Sequence, residues 1–298
     1  MGSITAFGDT LVYRVMGKGS PVLFIAGGGG DGDLFLPLAD RLSSEYKVIV
    51  YDRRANAGST INHPDLFSLQ QQAEDAMAIL DQAGEPAALV IGNSSGAVIG
   101  LEILRLFPER VRGLIAHEPP LAKEHPQKDK WIGFFRKCYD LSFRPGGPPL
   151  AASRFFFGIE VPAIPMIRAQ MKAERYLKQN HISKERKVTS RQASEYLIRQ
   201  ELLPVVGYEA DYDCLRRERD KAVLAVGTYA KENGTFLYEA ASQLSKKTGI
   251  PCESVPGHHG SFMDEPEQWA ERVRQIIQKY FTQDTAEIRK EAGGEKGA

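Results

Sequence analysis

The chain has 298 residues, enough for one large α/β domain carrying an insertion or for two small domains. Lys plus Arg and Asp plus Glu both number 38, so the formal net charge is zero; no long-range field favours nucleic acid or an acidic membrane, and a small, weakly charged substrate is expected. The three cysteines, Cys138, Cys214 and Cys252, form no C-x-x-C pair, suit neither a disulfide framework nor a zinc site, and point to a reducing compartment.

Along the chain, the amino terminus has no basic region followed by an apolar core, and no later apolar run reaches the ~20 residues that span a bilayer. The expectation is a cytoplasmic protein with neither nucleic-acid nor membrane partners. Residues 11–16 alternate weakly and read as an edge strand, while residues 21–26 form a continuous apolar run of the buried parallel type. Gly27, Gly28, Gly29 and Gly30 follow, then Asp31-Gly32-Asp33 and a helical stretch over 34–42. A glycine run after a central strand lets backbone N–H groups approach a ligand. It is neither a Walker loop, which needs Gly-Lys-Ser/Thr, nor a clean dinucleotide fingerprint, because Arg53-Arg54 stands beside Asp52 at the end of the next strand, 47–52. No cofactor and no metal are expected.

A helix is predicted over 66–83 and a buried strand over 87–91. Gly92-Asn93-Ser94-Ser95-Gly96 comes next and leads into an apolar helix ending at Phe107-Pro108. This is G-x-S-x-G at a strand-to-helix turn: the turn is too tight for side chains at its flanks, and the serine at its apex is exposed at the strand's carboxyl end. The first amides of the helix lie beneath any oxyanion formed there, so Ser95 supplies one donor and Gly28 or Gly29 the second. Residues 110–118 form another strand, closed by Pro119-Pro120.

The alternation of strand and helix then breaks. Residues 121–204 are rich in helix formers and aromatics, among them Trp131, Phe135 and Phe156, and are interrupted by prolines. Such an insertion reads as a helical cap over the sheet's carboxyl edge, where open α/β sheets bind ligands. Two uses compete for the aromatics: packing the cap onto the core, or lining a pocket for a bulky, apolar substrate. A strand over 222–227, a helix over 235–247, a strand over 250–255, the loop Pro256-Gly257-His258-His259-Gly260 and an amphipathic helix over 266–281 complete the chain. The charged tail, 283–298, is expected to be disordered.

A serine hydroxyl needs a histidine to take its proton and an acid to hold that histidine. His63 comes too early, His117 lies on a strand beside Glu118, and His125 and His181 fall in the insertion, which leaves His258 and His259. For the acid, Glu118 ends the strand after the elbow helix at the same carboxyl edge as Ser94. The alternatives are Glu232, in the loop after the 222–227 strand, and Asp211 or Asp213. Strand alternation turns His117 away from Glu118 and makes it structural.

In the order of its glycine loop, elbow, insertion and terminal Pro-Gly-x-His-Gly, the sequence resembles the α/β-hydrolase family over residues 10–281. That resemblance selects His259 as the base. It implies an α/β fold, with a mostly parallel central sheet, helices on both faces and a helical cap inserted after the sixth strand. The core would comprise 1–120 and 205–282. Tyr51-Asp52-Arg53-Arg54 with His117-Glu118-Pro119-Pro120 resembles a subgroup of small microbial hydrolases, in which Arg54 is usually followed by glycine where this chain has Ala55. Ser94-Ser95-Gly96-Ala97, His117-Glu118 and Gly227-Thr228 resemble the fungal zearalenone lactone hydrolases, whose acid is a glutamate at the position of Glu118. Serine at 94 disfavours a haloalkane dehalogenase or epoxide hydrolase, which need a carboxylate nucleophile. The expected activity is hydrolysis of a small, largely apolar carboxylic ester or lactone through an acyl-enzyme. A cofactor-free perhydrolase and a non-catalytic small-molecule receptor of the same fold are the alternatives.

Overall fold

The computed structural model describes residues 1–281; the tail expected to be disordered, 283–298, lies outside them. Its strands are β1 (Gly2–Ala6), β2 (Asp9–Met16), β3 (Ser20–Ile25), β4 (Tyr46–Tyr51), β5 (Ala88–Asn93), β6 (Val111–His117), β7 (Ala222–Gly227) and β8 (Cys252–Val255). They form one sheet in the order β1-β2-β4-β3-β5-β6-β7-β8. Only β1 on β2 and β2 on β4 are antiparallel; every later pairing is parallel.

The apolar runs of the central strands are continuous because both faces are covered. Leu23 and Ile25 of β3, Val90 of β5, Leu114 of β6 and Leu224 of β7 pack on one side, in the same cluster as helices α2 (Leu69–Gln82) and α3 (Ser95–Leu106). Their neighbours Val22, Phe24, Ile91, Ile115 and Val223 pack on the other, against α1 (Leu36–Leu42) and the final helix Pro266–Tyr280. Period-two alternation thus divides each strand between two hydrophobic layers.

Between β6 and β7 come α4 (Lys128–Ser142), α5 (Gly147–Gly158), α6 (Ala163–Gln179), α7 (Ser190–Tyr196), α8 (Leu202–Val206) and α9 (Tyr212–Arg217). Trp131, Phe135, Cys138 and Ala151 of α4 and α5 form a third cluster with Ile198, Leu202 and Val206, and with Phe236 and Leu237 from after β7. Helix α6 belongs elsewhere: Ala169 and Ala173 join the layer that holds α1. Residues Leu197–Glu201, between α7 and α8, wind with i to i+5 hydrogen bonds, Leu202 N–H reaching the Leu197 carbonyl. After β7 follow α10 (Thr228–Glu232), α11 (Phe236–Thr248) and α12 (Pro266–Tyr280). No single helix among the described residues is long and apolar enough to cross a membrane.

Strand β1 and helix α10 are among the departures from expectation. Strand β1 was not anticipated, because its half-buried alternation looks like an ordinary polar terminus, and α10 replaces what reads as a loop. The segment after β4 also shows what Ala55 does where glycine is usual. Its φ is 67°, in the left-handed region, and it is fully buried, with its N–H donating to the Thr60 carbonyl. Beside it Arg54 pairs with Asp75 (2.7 Å) and with Asp9 and donates to the Ala6 carbonyl, tying the β1–β2 turn to α2.

A second set of charges ties the insertion to the sheet. Lys184, in the connection between α6 and α7, places its Nζ 2.6 Å from Asp31, 2.6 Å from Asp52 and 3.2 Å from Asp33. Burial favours its neutral form, but the three carboxylates outweigh burial and raise its pKa.

Candidate active site

Ser94 sits between β5 and α3 with φ 56° and ψ −121°, a conformation that non-glycine residues rarely hold. Its N–H donates to the His117 carbonyl at the end of β6 (2.9 Å). The flanking glycines are required by close approach: a Cβ on Gly92 would lie 2.2 Å from the Gly96 carbonyl oxygen, and one on Gly96 would lie 2.1 Å from that of Ile25. The turn therefore presents the serine by backbone constraint. Ser95 opens α3, where a helical amide has no intrahelical acceptor, and lines the same cavity as Ser94.

His259 lies in the loop between β8 and α12. Gly257 shapes that loop, with φ 70° and no room for a Cβ, which would lie 2.1 Å from Ser261 Oγ. The Nδ1 of His259 is 2.6 Å from Glu118 Oε2. Glu118 is fully buried just past β6, and its other oxygen, Oε1, accepts from the Gly227 N–H at 2.8 Å. Burial pushes the Glu118 carboxyl up, but the neighbouring His117, the His259 hydrogen bond and the Gly227 amide outweigh it and hold the pKa down to about 2. An ionised carboxylate only accepts, so His259 donates from Nδ1 and carries its lone pair on Nε2.

His117 does not turn away as strand alternation implies. Its Nε2 is 3.8 Å from Glu118 Oε1 and its ring stacks on that of His259, with centroids 5.8 Å apart, while its Nδ1 meets Asn93 Oδ1 at 2.7 Å. Burial lowers its pKa to about 4, so it is neutral near pH 7.

Ser94, Ser95, Gly28 and His259 share one cavity of about 360 Å³ between the sheet's carboxyl edge and the inserted helices. Phe135, Phe155 and Phe156 contribute to its wall, as do Leu197, Phe236 and Leu237. Two anticipated residues stand elsewhere. Trp131 lies behind the wall, its ring 4.3 Å from Phe236 and 5.9 Å from Phe135. Gly29 takes φ 85°, with open space where a Cβ would stand, and does not line the cavity. The alternative acids are also remote from it: Glu232 is exposed on α10, Asp213 is exposed and pairs with Arg216, and Asp211 caps α9 through the Cys214 N–H. Among the described residues no group of three or more His, Cys, Asp or Glu could hold a metal ion.

The sequence names Asn93 and Arg53 only as members of motifs and gives no sign of Glu201. Asn93 was visible only as a variable position of the elbow. Arg53 and Glu201 are a fully buried ion pair at 2.8 Å, between residues far apart in sequence.

A family model described as the alpha/beta hydrolase fold matches residues 20–152, and with this sheet and this elbow the chain has the α/β-hydrolase fold. The chain is 26% identical over 288 residues to the uncharacterized hydrolase YraK of Bacillus subtilis, which covers 93% of this chain and 96% of that protein. It is 33% identical over 134 residues to a putative carbamate hydrolase, RutD, of Azorhizobium caulinodans, which covers 45% of this chain and 47% of that one. A thermophilic esterase from Thermogutta terrifontis superposes with a TM-score of 0.69 at 18% identity, covering 94% of this chain and 97% of that structure. The protein is a hydrolase of the α/β fold.

Proposed function

We propose that the protein is a serine hydrolase that cleaves a small, largely apolar carboxylic ester or lactone through an acyl-enzyme on Ser94. The observation that carries this reading is the 2.6 Å contact of buried Glu118 with His259, which lines the same cavity as the elbow serine. His259 Nε2 takes the proton of Ser94 Oγ as the oxygen attacks the substrate carbonyl carbon, and the resulting oxyanion is received by the Ser95 and Gly28 amides. The C–O bond to the leaving group then breaks, His259 returns the proton to that oxygen, and water repeats the sequence on the acyl-enzyme to release the acid. The inserted helices act as a cap, and the phenylalanines on their inner side favour acyl groups or rings of moderate bulk over acetyl.

Reaction with a fluorophosphonate probe, read by intact mass, tests the nucleophile, and a panel of p-nitrophenyl esters, lactones and an aryl carbamate tests the substrate class. One adduct is expected on wild type and none on Ser94→Ala, with turnover rising from acetate to butyrate or hexanoate. An adduct that survives Ser94→Ala would falsify the assignment. Wild type that neither labels nor turns over any member of the panel is instead the behaviour of a receptor.

A further inference from the structure

The geometry points to Arg53 as a positioning residue: it fixes the peptide that supplies the Gly28 amide to the oxyanion, and its buried partner Glu201 makes that peptide depend on how the inserted helices are seated. The inference deepens the proposed function and rests on it.

Arg53 is fully buried, two residues past the end of β4. Its Nη2 donates to the Gly27 carbonyl at 2.7 Å and to Glu201 Oε1 at 2.8 Å, and its Nη1 lies 3.3 Å from Gln72 Oε1. The Gly27 carbonyl also accepts from the Gly30 N–H at 2.9 Å. Gly27 C=O and Gly28 N–H belong to one planar unit, and no peptide bond here is cis. In a trans peptide the two dipole ends point in opposite directions. Holding the oxygen towards Arg53 therefore turns the Gly28 N–H the other way, to the side on which Gly28, Ser94 and Ser95 line the cavity. A guanidinium on the carbonyl also polarises the unit, so that the N–H becomes a stronger donor. Glycines on both sides of this peptide cannot hold it alone, since they restrict φ and ψ least of all residues.

Glu201 lies at the end of the i to i+5 turn Leu197–Glu201, an irregularity common at functional sites. The first residue of that turn rests on the other end of the same peptide, since a Cβ on Gly28 would lie 2.8 Å from Leu197 Cδ2. One turn of the insertion thus touches Gly28 directly and Gly27 through Arg53. Leu197 and Ile198 meanwhile line the cavity that a substrate would fill. A substrate pressing on this turn bears on the oxyanion donor, so occupancy of the pocket and readiness of the donor are coupled. Glu201 Oε2 and Arg53 Nε have no hydrogen-bond partner, so the pair is held for position rather than for full satisfaction.

The test compares wild type, Arg53→Lys, Glu201→Gln and the double variant Arg53→Met/Glu201→Met, which leaves no unpaired buried charge. Three quantities are read: kcat/KM on p-nitrophenyl butyrate, the Ki of benzeneboronic acid, which becomes tetrahedral on Ser94, and the Ki of p-nitrophenyl butyl ether, which fills the cavity without developing an oxyanion. We expect kcat/KM to fall at least about tenfold in the Arg53 variants, and by less in Glu201→Gln. Boronate Ki should rise by a similar factor while ether Ki stays within about twofold. Unchanged kcat/KM in the double variant overturns the inference, as does ether binding that weakens in step with boronate binding in any of the three. Wild type that turns over no member of the ester, lactone and carbamate panel overturns the proposed function itself, whereas an active wild type with unaffected variants removes only the role of Arg53.

Discussion

Glu118 holds His259 Nδ1 with one carboxylate oxygen at 2.6 Å and the Gly227 amide with the other at 2.8 Å. Both contacts are donors facing an acceptor, which an amide side chain cannot reproduce at both oxygens. Glu118→Gln should therefore keep its shape but turn an NH2 towards either the ring or the Gly227 N–H and favour the wrong tautomer of His259. A fall in kcat of roughly a thousandfold or more is expected. Glu232→Gln, on the exposed α10, should stay near wild type. Ester hydrolysis by the two purified variants, with circular dichroism to check folding, reads the result; the opposite pattern moves the acid to Glu232.

The buried His117 sets a pH dependence of stability. Its pKa is lowered from 6.5 to about 4 by burial, so between those values the unfolded chain holds a proton there and the folded protein does not. Stability must then rise with pH across this window and fall on acidification, by roughly 3 kcal/mol for this residue. In His117→Gln the urea midpoint should fall less between pH 7 and pH 4 than in wild type. Parallel midpoint curves for the two proteins would assign the acid sensitivity to other groups.

Ala55 occupies backbone space that suits glycine, at φ 67°. Replacing it by glycine removes about 1–2 kcal/mol of left-handed strain. The gain is offset by the loss of a buried methyl group and by about 0.5–1 kcal/mol of extra unfolded-chain entropy. Ala55→Gly should accordingly remain within about 1 kcal/mol of wild type, whereas the β-branched Ala55→Val should lose at least about 3 kcal/mol. Equal urea midpoints for the glycine and valine variants would contradict the observed backbone.

Lys184 neutralises part of a buried cluster of Asp31, Asp33 and Asp52. Lys184→Met leaves Asp52 without a cation, while Asp33 keeps Arg14 and Asp31 keeps Arg186, and a loss of about 3–5 kcal/mol is expected near pH 8. Burial already raises the Asp52 carboxyl and Lys184 opposes that rise, so without the cation it rises further and the folded state binds more protons than the unfolded one as pH falls. The destabilisation should shrink towards pH 5. Chemical unfolding of variant and wild type at the two pH values measures this, and a deficit that grows on acidification refutes it.

The architecture was legible wherever burial on both faces writes an unbroken apolar run, as in β3, β5 and β7, and the elbow was legible because its glycines answer to backbone contacts alone. Other features depend on packing that a one-dimensional pattern does not carry. Trp131 and Phe135 are one turn apart on the same face of α4, yet Phe135 lines the cavity while Trp131 packs behind it against Phe236. Alternation misplaces His117 relative to Glu118 because the chain leaves the strand at Glu118, where φ is 49°, and the period-two rule ends with it. The Arg53–Glu201 pair spans the insertion, and nothing local to either residue announces the other.

Glu118 also closes a circuit. Its N–H donates to the Ala225 carbonyl and its carboxylate accepts from Gly227, so the residue that launches the excursion towards β7 is clamped to the strand on which that excursion lands. Both anchor points belong to the sheet. A shorter or unrelated connection grafted between Pro120 and Ala222 would leave the Glu118 and His259 contact seated. The same exchange would remove Glu201 and leave Arg53 facing an empty site. Transplanting the connection would therefore preserve the proposed acid and base while loosening the proposed oxyanion donor, so a chimaera keeps an oriented histidine but turns over more slowly unless residues 197–201 travel with the core.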